Sequence, residues 1–158
     1  MTWRRAALRW TGRLFALACL ALLAVQAWFF AHVLYWKYEN PRSTAFMRRE
    51  QQRLAQRTPP GAIRFQWVPY ERISVYLKQA VIAAEDARFA EHDGVDWEAV
   101  KKAYETNLKR GRPARGGSTI SQQLAKNLFL SPEKSYWRKA QELAITAMLE
   151  TVWDKRRI

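Results

Sequence analysis

From Leu14 to Leu34 the sequence LFALACLALLAVQAWFFAHVL carries no Asp, Glu, Lys or Arg. At about 1.5 Å per residue it reaches across a hydrocarbon layer of about 30 Å. The pattern predicts an uncleaved transmembrane helix over 14–36. Its aromatic end, Trp28, Phe29, Phe30, Tyr35 and Trp36, resembles an interfacial belt, and no small-residue cleavage site follows. Arg4, Arg5, Arg9 and Arg13 place residues 1–13 on the cytoplasmic side, although Lys37, Arg42, Arg48 and Arg49 on the other flank weaken that signal. Gln26 and His32 are polar within the span; they read either as a helix-pairing or proton site or, better, as residues that one helix tolerates, His32 being near an interface.

Beyond the span the pattern changes twice. Residues 37–61 are polar and basic and close on Thr58-Pro59-Pro60-Gly61, which reads as a partly helical stalk. Ile63, Phe65 and Trp67 then alternate with Arg64, Gln66 and Val68, an extended lead-in to a domain at 62–158. Helical periodicity follows. Ser74 to about Glu91 carries a stripe of Leu77, Ala80, Val81 and Ala84. Asp96 is placed to cap a helix with Trp97, Val100, Tyr104 and Leu108 on one face, stopped by Gly111. Ser118 is placed to cap another, with Ile120, Leu124 and Leu128 inward. Ser131-Pro132-Glu133 signals a long last helix whose expected buried face is Ala140, Leu143, Ala144, Ala147 and Thr151. The fold class predicted is mainly α, and there are no internal repeats.

Composition narrows the chemistry. Of 158 residues, the anchor and stalk leave only about a hundred for a folded core. A net charge of +13, spread along the chain, points to an anionic partner. The anchor favours a membrane-borne one over nucleic acid, which we do not expect to bind. The only cysteine, Cys19, lies in the apolar span, which excludes a disulfide framework and a cysteine metal site.

Three segments carry candidate chemistry. In AAEDARFAEHDG, the carboxylates Glu85 and Asp86 adjoin an apolar stripe and precede a turn with Phe89, His92 and Gly94. A carboxylate held against apolar surface suits acid or base catalysis, whereas such a pair at a helix end is more often solvated. In RGGSTISQQLAKNLFL, Gly116 and Gly117 allow close backbone approach, and Ser118 and Thr119 offer hydroxyls at a helix start, where free N–H groups suit an anion. Gln122, Gln123, Lys126 and Asn127 add donors a turn further on. A capped helix with a polar face accounts for Ser118 but not for so many donors together. In the third segment, Lys134, Arg138, Lys139 and Glu142 lie at spacings of three or four, either a surface ion pair or a carboxylate ringed by phosphate-gripping cations. No second His or Cys stands at zinc-ligand spacing.

In this order, ED-x-x-F-x-x-H-x-G, G-G-S-T-I-x-Q-Q-x-x-K-N and R-K-x-x-E resemble the first three motifs of the peptidoglycan glycosyltransferase family, which includes the glycosyltransferase domain of class A penicillin-binding proteins. The single anchor and the sequence ETVWDKRRI are similar to its monofunctional branch, the biosynthetic peptidoglycan transglycosylases. The resemblance covers Trp67 to Ile158. It implies a lysozyme-like lobe with a smaller membrane-hugging jaw outside the cytoplasmic membrane. It also implies polymerisation of lipid II onto a growing glycan chain, with release of undecaprenyl diphosphate. On the matching positions, Glu85 is the general base and Glu142 the second essential carboxylate, near the diphosphate and sometimes linked to a divalent cation such as magnesium or manganese. Lys126 contacts diphosphate, and Lys134 stands where many relatives have arginine, without its bidentate fork. Arg138 belongs to the same cationic row. Ser118, Thr119, Gln122 and Gln123 match substrate-pocket positions. Asp86, Phe89, His92, Gly94, Gly116, Gly117, Asn127 and Lys139 complete the motifs, and Lys109 to Arg115 matches a mobile loop. No covalently bound cofactor is expected.

The family pattern continues beyond Ile158 into I-L-E-x-Y-L-N and a further helix. On that basis the 158-residue chain by itself is expected to leave the apolar face of its last helix partly uncovered, and to be unstable or inactive. Two other readings compete: a muramidase-like hydrolase with Glu85 as general acid, and an inactive membrane scaffold touching cell-wall synthesis or division proteins.

Overall fold

The computed structural model describes residues 2–112 and 116–158, with side chains throughout except at residues 2 and 4–8. The side chains of Arg4 and Arg5, and residues 113–115 of the basic loop, therefore lie outside the described residues. Every regular element among the described residues is helical: α1 (Thr2–Tyr38), α2 (Ala45–Ala55), a 3₁₀ turn at Tyr70–Arg72, α3 (Val75–Glu85), α4 (Trp97–Arg110), α5 (Ile120–Phe129) and α6 (Tyr136–Val152). The mainly α class is the one the periodicity predicts. The alternating lead-in at 63–68 forms no strand; Ile63 N–H instead donates to Gln51 Oε1 of α2 at 2.9 Å.

The core lies where α1, α5 and α6 meet. Phe29 and Val33 of α1 pack with Ala125 and Leu128 of α5 and with Ile145, Leu149 and Trp153 of α6 and its end. The apolar helix is thus long enough to cross a membrane and is also a wall of the domain. Its covered stripe runs Gln26, Phe29, Val33, Trp36, the three-and-four spacing of one helix face. Polar contacts fix this packing. Trp153 Nε1–H donates to Val33 O at 2.8 Å, and Arg157 Nε–H donates to Trp36 O at 3.0 Å while its Nη2 reaches Glu39 O at 2.9 Å. A guanidinium over the last carbonyls of a helix satisfies orphan acceptors and meets the negative end of its dipole. Gln26 is not solitary, as a lone helix would have left it. It exchanges two hydrogen bonds with Gln141 of α6, at 2.9 and 3.0 Å. His32 stays within its own helix, Nδ1–H donating to Trp28 O at 2.9 Å.

Local signals hold where they are strongest and fail where tertiary contacts override them. Asp96 caps α4 through Ala99 N–H at 2.9 Å, and Gly111 ends it in the left-handed region at φ 61°. The α5 cap is Thr119 rather than Ser118, reciprocated by Gln122 in a capping box. The α6 cap is Ser135, four residues past Ser131, accepting from Arg138 N–H at 3.1 Å. Helix α3 ends at Glu85, not Glu91, because Asp86 turns inward to partners beyond its own helix.

The buried faces differ more. Helix α6 buries Glu142, Ile145, Thr146 and Leu149, not the face of Ala140, Leu143, Ala144, Ala147 and Thr151. Glu142 and Thr146 go inward because their polar groups are satisfied there, Thr146 by its hydroxyl donating to Glu142 O at 2.7 Å. The stripes of α3 and α4 lie open, with Leu77, Val81, Trp97, Tyr104 and Leu108 all exposed. The uncovered apolar surface expected on the last helix is there, with Ala140, Leu143 and Ala147 exposed, and the stripes of α3 and α4 add to it. The stretch 37–61, read as a stalk, contains α2, capped by Thr44 and packed on α5.

Candidate active site

The first and second candidate segments meet at the start of α5. Asp86, 7% exposed, accepts Ile120 N–H at 3.0 Å and His92 Nε2–H at 3.0 and 3.1 Å. Thr119 Oγ1–H donates to Gly94 O at 2.6 Å. Asp86 therefore organises the junction rather than standing free for chemistry. Glu85, one residue earlier, is exposed, and its carboxylate accepts Gln123 Nε2–H at 2.9 Å. The apolar seat expected for Glu85 is absent; an amide from α5 aims the carboxylate instead. Phe89 is buried beneath the turn.

Gly94 is needed twice over. Its φ of 87° is in the left-handed region, and a Cβ there would stand 2.7 Å from Thr146 Cγ2 and 3.0 Å from Glu150 Cγ. Gly94→Ala is expected to cost about 1–3 kcal/mol of stability, read by chemical denaturation; an unchanged midpoint would contradict the packing described. The two glycines before α5 differ. A Cβ on Gly117 would press the α4 backbone at Val100 Cα, 3.1 Å away, so its closeness serves helix packing, whereas one on Gly116 would meet nothing within 4 Å.

The third segment joins through Lys139, whose Nζ bonds Glu142 Oε1 and lies 3.5 Å from Ser118 Oγ. Arg138 Nη1–H donates to the other oxygen of Glu142 at 2.6 Å. The surface-pair reading fails, since Glu142 is 2% exposed. Each of its oxygens holds one cation, so in this structure the charge of Glu142 is already balanced by Arg138 and Lys139. Asp86, His92 and Asp96 do bring ligand atoms within 4.8 Å of one another, but Asp86 serves His92 and Ile120, and Asp96 caps α4. Lys126 is half-buried with Nζ 5.7 Å from the Phe46 ring centre of α2, while Lys134 and Asn127 are exposed.

Sequence reasoning missed a second, part-buried bridge. Glu150 accepts from Ser121 Oγ–H and from Lys155 Nζ at 2.8 Å. Lys155 also donates to His92 O at 2.6 Å and lies 4.7 Å from the Phe89 ring centre. One lysine thus ties the turn of the first segment, through Glu150 and Ser121, to α5 and α6. Glu150 and Lys155 are five apart in sequence, and no helical spacing rule pairs them.

A carboxylate-bearing turn, a donor-rich capped helix and a cation-clamped carboxylate are thus bonded together in one helical domain. The chain belongs to the Transglycosylase family, whose pattern matches residues 50–158. It is 55% identical over 150 residues to the biosynthetic peptidoglycan transglycosylase of Azoarcus sp., covering 95% of this chain and 65% of that protein. Identity to the biosynthetic peptidoglycan transglycosylase of Laribacter hongkongensis is 54%, covering 96% of this chain and 66% of the relative. For that of Aromatoleum aromaticum it is 53%, covering 98% and 67%. The chain spans just under two thirds of the length of the first two of these relatives.

Proposed function

We propose that this protein is a peptidoglycan glycosyltransferase that polymerises lipid II. We place it in the cytoplasmic membrane by α1, with its N-terminus inside and the helical domain outside. The observation that carries the reading is the convergence on α5: Gln123 holds Glu85, Ile120 N–H is held by Asp86, and Ser118 meets Lys139 beside Glu142. In the step proposed, Glu85 takes the proton of the acceptor sugar 4-hydroxyl as its oxygen bonds the anomeric carbon of the growing chain. The bond from that carbon to the diphosphate oxygen breaks, and its electron pair leaves with undecaprenyl diphosphate. Lys126, Arg138 and Lys139 stabilise the charge that develops there, with Glu142 holding the last two in place. We propose that these side-chain cations carry the diphosphate without a resident metal at Glu142.

Lys126→Ala tests this against a hydrolase that has no diphosphate to grip. Turnover is followed in a chimera, with residues 1–158 continued by the last third of the Azoarcus protein. Loss of a charge-assisted contact should lower lipid II polymerisation about tenfold to a hundredfold. Cleavage of finished glycan by both parent and variant would instead identify a muramidase-like enzyme.

A further inference from the structure

The apolar segment predicts an outer membrane boundary near Tyr35, yet α6 already covers one face of α1 from Gln26 onward. Every described side chain from Arg9 to Val25 is exposed, as lipid contact requires, whereas Phe29 and Val33 are buried by the domain. The hydrogen bonds to Gln141, Trp153 and Arg157 climb α1 in step with α6, so the two helices run in the same direction. Gln26 is the innermost of these contacts. Its partner Gln141 adjoins Glu142 and lies one turn from Arg138, a charged cluster unsuited to hydrocarbon. Tyr136 and Trp137, 97% and 88% exposed at the start of α6, lie about a turn deeper, where an interface favours aromatic rings. Counted back from the level of Tyr136 and Trp137, about a turn below Gln26, a hydrocarbon layer of about 30 Å ends near the start of α1.

We infer that the Gln26–Gln141 amide pair is a positioning element that locks α6 to the anchor just above the outer membrane boundary and so holds the Arg138–Lys139–Glu142 cluster at headgroup level. A lipid-borne diphosphate is confined to that level. The role rests on the proposed transferase reading, since it supposes a polyprenyl diphosphate ligand. Each amide gives the other a donor and an acceptor, so the pair fixes rotation as well as depth. Leucine at 26 keeps the apolar anchor and removes both bonds.

The test uses the 158-residue protein in bilayer nanodiscs. A nitroxide at Tyr136→Cys, in a Cys19→Ser background, reports depth by collisional quenching; binding is measured for undecaprenyl diphosphate in the bilayer and for inorganic diphosphate in water. With Gln26 present the label should sit at headgroup depth. Gln26→Leu should spread or shift that depth and weaken the bilayer ligand about three- to tenfold, leaving inorganic diphosphate unchanged. Unchanged depth, or equal weakening of both ligands, overturns the positioning role. If the chimera, too, binds neither ligand, the transferase reading fails, and the depth arm alone decides the positioning.

Discussion

Glu85→Gln is expected to slow lipid II polymerisation in the chimera by about a hundredfold to ten-thousandfold, the range for losing a positioned general base. The substitution is nearly isosteric. The new amide oxygen can still accept from Gln123 Nε2, which holds Glu85 at 2.9 Å in the parent, so the aim of the side chain is kept while its basicity is lost. Asp86 cannot take over, because its oxygens are held by His92 and by Ile120 N–H. Single-turnover rates at saturating lipid II separate this from a binding defect. A rate within twofold of the parent would remove Glu85 from the chemistry.

Glu142→Ala should act on stability as well as on turnover. It leaves Arg138, whose side chain is only 17% exposed, without its carboxylate and next to Lys139. Lys139 is 41% exposed and partly screened by water, so most of the cost comes from Arg138. Breaking a buried pair from one side costs about 3–5 kcal/mol, and the open solvent at Lys139 puts the expectation near the lower figure. Denaturant unfolding of the 158-residue chain measures it directly. A loss below about 1 kcal/mol would mean that the buried carboxylate does not hold the two cations.

The contrast between these residues and the helix faces explains what could be read from sequence. Motif residues were legible because their types and spacings are set by chemistry: Glu85, Gln123, Arg138 and Glu142 all make contacts within or between the three segments. Asp96 and Gly111 were legible because a cap is a local event. The buried face of α6 was not, since counting apolar side chains assumes that polar ones face water, and Glu142 and Thr146 do not. Nor was the end of α3, where Asp86 is drawn toward Ile120, thirty-four residues away. Long-range polar pairs such as Gln26–Gln141 and Lys155–His92 O join positions that no local pattern relates. The anchor was legible as an apolar helix, but not as a wall of the core: Phe29 and Val33 look like any membrane-span residues until α6 covers them.

The most direct test of the central claim, that one site on α5 moves sugar from a lipid diphosphate to a 4-hydroxyl, is product analysis with labelled lipid II in bilayers. The chimera is predicted to release one undecaprenyl diphosphate for each glycosidic bond formed. Lipid II that stays bound but unpolymerised, or diphosphate release without glycan growth, would contradict it.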